Sequence, residues 1–178
     1  MKKIRNKIFE TNSSSMHSFL FSREEKEQEC YTPEELNKLL FSDDGLIHLY
    51  FDEYGWNGPD IRDVKEKMAY CVFQLLIVHT RFNTWNMPYE VCKMINEVGL
   101  EKIIDAFSFE EFKKSLVDLC NKLGVLEGVD EYHILDNFKF NFGEYSNIDH
   151  QSVGDFDVDY MVKVISRKDG YIEISNDN

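Results

Sequence analysis

Polar and apolar residues alternate at the start of the chain, where Lys2 to Phe9 reads K-K-I-R-N-K-I-F. Such period-two alternation predicts a first strand ending at Phe9. Glu10 to His17 is polar and Ser-rich and predicts a loop, after which Ser18-Phe19-Leu20-Phe21 predicts a short second strand, hairpinned to the first. Arg23 to Glu29 is a charged stretch and fits either an exposed helical turn or a loop. Thr32-Pro33-Glu34-Glu35 then brings together a capping hydroxyl, a Pro at the first helical position and a Glu at the third. The helix it opens is short, with Leu36, Leu39 and Leu40 on one side. Asp43-Asp44-Gly45 predicts a turn, and Leu46 to Phe51 a buried strand.

The strongest periodicity follows Asn57-Gly58-Pro59, with Asp60 as the natural cap. Val64, Met68, Cys71, Val72, Leu75 and Leu76 hold one helical face, and Tyr70, Phe73 and Ile77 add a second apolar side. A helix apolar on most of its circumference belongs at the centre of the fold. Pro88 opens a further helix running to Val98 and stopped by Gly99, with one or two turns expected over Leu100 to Phe107. Ser108-Phe109-Glu110-Glu111 is a second capping box, followed by Phe109, Phe112, Leu116, Leu119 and Leu123 at helical spacing up to Gly124. From Val125 the texture returns to alternation, Gly and aromatics. Tyr160 to Ile165 and Tyr171 to Ile174, joined across Arg167-Lys168-Asp169-Gly170, predict a terminal hairpin. Strand-rich ends around a helical middle give an α+β fold, with an antiparallel or mixed sheet formed by the N- and C-terminal strands and packed on the helices.

Composition bounds this picture. A chain of 178 residues is expected to form one domain, residues 1–178, and with 43% hydrophobic and 14% aromatic residues it has ample material for a core. The net charge is −13, yet Lys2, Lys3, Arg5 and Lys7 precede any acid, and removing those four positive charges leaves −17 after Phe9. Such a field repels phosphate backbones, so free nucleic acid is not an expected partner. Cys30, Cys71, Cys92 and Cys120 are widely spaced, as expected of reduced thiols packed as small hydrophobes. Asn12-Ser13-Ser14 matches a glycosylation acceptor, but no leader pattern precedes it, and no apolar run reaches the ~18 residues of a membrane span. A cytoplasmic protein without membrane contact is the expectation.

Candidate chemistry concentrates in four places. Glu10 to Ser18 sets six small hydroxyl or amide residues beside His17. Asn12, Ser13, Ser14, Ser15 and Ser18 are suited to hold an anionic group, and a His beside them can move a proton near neutral pH. A turn whose short side chains bond their own backbone accounts for the same residues. Asn147 to Ser152 contains Asp149 and His150, a candidate base and metal ligand or simply a surface loop. Phe51 to Trp56 offers Glu53 as a general acid or base and Trp56 as a pocket wall, or else an aromatic plug over the core. The fourth is the polar tail Asn176-Asp177-Asn178, for which fraying is the default. His79 falls on an apolar stripe and reads as a core histidine. Phosphate-loop, dinucleotide-binding, zinc-protease, nucleophile-elbow and zinc-spaced Cys/His patterns are missing, so no cofactor is indicated and the metal question stays open.

The opening Arg5 to Ser18, R-N-K-I-F-E-T-N-S-S-S-M-H-S, resembles the start of a family of uncharacterised proteins from phages, prophages and low-GC bacteria that begin with an F-E-T-N-S-S-S-x-H-S block. The likeness continues at Glu53-Tyr54-Gly55-Trp56, Lys67-Met68-Ala69-Tyr70, Ile148 to Ser152 and Asn176-Asp177-Asn178. Met16 stands where Thr is expected, and Ser175 where Gly is expected. The resemblance implies no activity, but it implies that the Ser block, Glu53, His150 and the tail matter together.

Two functions fit. One is a hydrolase-like domain, or one binding a small anionic ligand or a metal, in which the Ser block holds the ligand, His17 and His150 handle protons or a metal, and Glu53 or Asp149 assists. The other is an acidic phage-encoded protein that inhibits a basic, nucleic-acid-binding host enzyme by occupying its groove, which requires a contiguous carboxylate face. Oligomeric state is open in both.

Overall fold

The structure is a computed structural model and describes residues 4–5, 15–22, 28–54, 59–80, 97, 99, 102, 105–148 and 157–176. Its strands are β1 (Ile4–Arg5), β2 (Ser15–Phe21), β3 (Ile47–Tyr54), β4 (Phe138–Ile148) and β5 (Gly170–Asn176). Its main helices are α1 (Pro33–Leu40), α2 (Val64–Thr80), α3 (Ala106–Leu123) and α4 (Val158–Ser166). The fold is α+β. The chain-end strands form one antiparallel sheet in the order β1-β2-β5, while β3 and β4 pair in parallel as a second sheet.

Local chemistry explains the helix ends. At α1 the Thr32 hydroxyl accepts the Glu35 N–H at 3.2 Å, and the Glu35 carboxylate accepts the Thr32 N–H at 2.8 Å, completing the predicted capping box. At α2 it is Asp63, not Asp60, that accepts helix N–H groups, from Lys65 at 2.8 Å and Glu66 at 3.2 Å. Asp60 instead receives a hydrogen bond from Arg62. Helix α3 starts earlier than its sequence signal: the Asp105 carboxylate accepts the Ser108 N–H at 3.0 Å, which makes Asp105 rather than Ser108 the cap. Its end agrees with expectation, Gly124 adopting the left-handed conformation with φ +68°.

Two larger expectations are corrected as well. Residues 158–166 are helical, so the terminal hairpin does not exist. Asp157 caps them by accepting the Tyr160 N–H, and Met161, Val164 and Ile165 are buried at helical spacing. Freed from that hairpin, β5 pairs with β2. Ser15, Met16 and His17 are not loop but the first half of β2, because β5 supplies partners for their backbone. The expected helix over 88–98 lies almost entirely outside the described residues.

Helix α2 is the centre of the fold, with every residue from Lys67 to Ile77 buried. Phe73 stacks on Phe51 of β3 with ring centroids 4.8 Å apart, and Tyr70 meets Phe19 of β2 edge-on at 6.3 Å, so this one helix touches both sheets. Lys67, only 1% exposed, donates to the carbonyls of Val164, Gly170 and Arg167 at 2.8, 3.0 and 3.3 Å. All three ammonium hydrogens thus bind the C-terminal end of α4 and the start of β5, where the helix dipole favours a cation. Ile61 completes the tie through a two-way backbone bridge to Ile172 of β5.

Candidate functional site

The position of each candidate follows from strand register. In the β2–β5 ladder Ser15 stands opposite Asn176, His17 opposite Ile174, and Ser18 opposite Glu173. The Ser block therefore runs directly into a strand beside the strand that ends in the polar tail. In the β3–β4 ladder Glu53 stands opposite Asn147 and Tyr54 opposite Ile148. Asp149 and His150 follow Ile148 in sequence, which joins these two candidate segments at one end of the parallel pair. The register there is irregular: the step from Phe51 to Glu53 on β3 spans Phe142 to Asn147 on β4. Bulges of this kind re-aim side chains and recur beside functional sites.

Asn12, Ser13, Ser14, Trp56, Asp149, His150 and Asp177 lie outside the described residues, and for Ser15, His17, Glu53 and Asn176 the strand position alone is described. Ser18 is described fully. It is 2% exposed, and its hydroxyl finds no hydrogen-bond partner among the described residues. A buried polar atom left in that state costs about 1–3 kcal/mol.

The two strand pairs meet at Tyr70. Its ring lies edge-on to Tyr54 with centroids 5.1 Å apart, and edge-on to Phe19 at 6.3 Å. Tyr54 is the residue after Glu53, and Phe19 the residue after Ser18. One fully buried ring thus spans the segments that carry the candidate carboxylate and the candidate Ser/His group. Burial pushes the phenol pKa of both Tyr54 and Tyr70 well above the ordinary range, so both stay neutral hydrogen-bonding groups.

One turn along α2, Gln74 is 1% exposed and donates from its amide nitrogen to the Tyr70 hydroxyl at 2.8 Å. Its amide oxygen has no partner among the described residues. Sequence reasoning passed over this residue, although a Gln inside a helix apolar nearly all round was the signal for it. His79 departs from a simple core histidine. It is half-buried and lies 2.8 Å from the Ser115 hydroxyl of α3. Burial lowers its pKa, against the opposing charge of Glu111, so it is neutral at pH 7.

Among the described residues no group of three or more His, Cys, Asp or Glu side chains is placed to hold a metal ion, and no helix is long and apolar enough to cross a membrane. Cys71 and Cys120 are buried thiols whose pKa burial raises, that of Cys120 to about 12, while Cys30 is exposed. Comparison with family models, with curated proteins and with solved structures gives no match to this chain.

Proposed function

We propose that the protein is a hydrolase-like domain that binds a small anionic ligand, with its site where the two strand pairs meet beside Tyr70. Asn12, Ser13, Ser14 and Ser15 hold the anionic group through hydroxyls and loop amides, as such segments hold phosphate oxygens. His17 and His150 handle protons, with Glu53 or Asp149 assisting them, and Trp56, Asn176 and Asp177 are further ligand contacts. The observation that carries the reading is the pair of edge contacts from Tyr70 to Tyr54 and Phe19, which brings the neighbours of Glu53 and Ser18 against one ring.

The alternative of an acidic inhibitor needs an unbroken carboxylate face. The ion pairs Lys113–Glu110, Lys114–Glu111, Lys122–Asp118 and Lys168–Glu35 interleave the two signs, which favours the site-bearing reading. Calorimetric titration with inorganic phosphate tests it. Saturable binding is expected in the wild type and its loss in Ser14→Ala and His17→Ala at unchanged thermal stability. Wild-type protein that shows no binding contradicts it.

A further inference from the structure

Helices α2 and α3 meet at a second polar pair, made of residues that the anion site proposed above does not use. His79, in the last turn of α2, holds its Nε2 2.8 Å from the Ser115 hydroxyl oxygen of α3. Both residues are half-buried, so the pair borders solvent and is not enclosed in the core. Burial holds the imidazole below its usual pKa. Among the described residues the charge opposing that shift is Glu111, one turn before Ser115 on α3 and itself paired with Lys114 at 2.9 Å. Helix α2 brings no charged residue of its own between Lys67 and His79. A base that is neutral at pH 7, bonded to a hydroxyl and under the charge of a carboxylate, is an arrangement by which proteins activate a serine. A plain tie between helices would need only a hydrogen bond, which Gln supplies without a base, so one substitution separates the two roles.

We propose that Ser115 is a nucleophile with His79 as its general base, and that the pair takes the acyl group of a small, uncharged carboxylic ester. With its own hydrogen on Nδ1, the ring accepts the Ser115 hydroxyl hydrogen at Nε2. As Ser115 Oγ bonds to the ester carbonyl carbon, that proton passes to Nε2. The bond from the carbonyl carbon to the leaving oxygen then breaks, and the leaving group departs with the proton. Water repeats the step: its oxygen bonds to the same carbon, its proton passes through Nε2 to Ser115 Oγ, and the free acid leaves. Glu111 favours the imidazolium formed between the two transfers. Because Lys114 matches the Glu111 charge, these two bring no net positive field to draw an anion. An uncharged ester therefore suits the pair better than a phosphate ester.

The test follows nitrophenolate release from p-nitrophenyl acetate by the full chain. Ser115→Ala is expected to lower the rate to the background of surface amines. His79→Gln, which can still bond Ser115, is expected to lower the Ser115-dependent rate by about 100-fold or more at unchanged melting temperature, the scale of general-base catalysis. In the wild type the rate is expected to fall with acid through a midpoint below the ordinary histidine value of 6.5. That profile needs no substituted chain and decides the matter should a variant fail to fold. Release that Ser115→Ala leaves intact, or that His79→Gln leaves as fast as in the wild type, overturns the proposal and reduces the pair to a tie between helices. A wild-type rate without the acid midpoint does the same. None of these outcomes touches the anion site, since phosphate titration there involves neither residue.

Discussion

The ammonium of Lys67 lies 2.8 Å from the carbonyl oxygen of Val164, inside the protein and one turn before Tyr70 on the same helix. Because the same group also reaches Gly170 and Arg167, it fixes where β5 begins relative to α2, and so where the strand beside the Ser block lies. Lys67→Met removes the shared donor from three carbonyls. The expected loss is about 1.5–3 kcal/mol in chemical denaturation, the range for hydrogen bonds to a charged group.

Burial pulls the Lys67 pKa down to about 8, with Cys71, Asp63 and Asp169 opposing the shift. Between that value and the ordinary 10.5 the unfolded chain holds the extra proton and the folded chain does not. Stability therefore gains from this group as pH rises from about 8 to about 10.5, and that gain is lost as pH falls back through 8. The difference in unfolding free energy between wild type and Lys67→Met, measured across pH 7–11, is expected to carry this slope. A difference that does not change with pH would show that the ammonium titrates normally.

Gly124 ends α3 at φ +68°, and a Cβ there would stand 2.8 Å from the Pro33 side chain of α1. Gly128 has a similar φ of +77° with nothing near its would-be Cβ. Backbone strain alone costs about 1 kcal/mol at either position. Gly124→Ala is therefore expected to destabilise by clearly more than Gly128→Ala in urea unfolding, the excess being the clash with Pro33. Equal losses would mean that α1 yields freely at this contact.

Tyr70→Phe takes away the partner of the one bonded end of Gln74 and leaves the amide with no partner among the described residues. A loss of about 1–3 kcal/mol is expected. If the double variant Tyr70→Phe, Gln74→Met recovers most of it, the cost belongs to the stranded amide and not to packing of the ring.

What the sequence showed and what it hid follow the same physics. The capping box at Thr32 and Glu35 and the central position of α2 were legible because local hydrogen bonds and helical periodicity specify them. The segment Val158 to Ser166 was misread because its β-branched and aromatic residues suit a strand, and nine residues are too few for period alone to decide. Its helix is settled by burial of Met161, Val164 and Ile165 and by the Asp157 cap. Ser15 to His17 looked like loop because side-chain polarity says nothing of a backbone partner, and that partner is more than 150 residues away in β5. For the candidate site, the sequence named Ser18 and Glu53 but could not show that their next neighbours meet on Tyr70. Nor could it show that the amide of Gln74 would be left half-paired among the described residues.

The central claim is that segments distant in sequence serve one ligand. Backbone amide NMR during titration with inorganic phosphate tests it most directly. The account predicts that Ser13 to Ser18, Glu53, Asp149, His150 and Asn176 shift together along one saturation curve. Shifts confined to a single one of these stretches, or none that saturate, would contradict it.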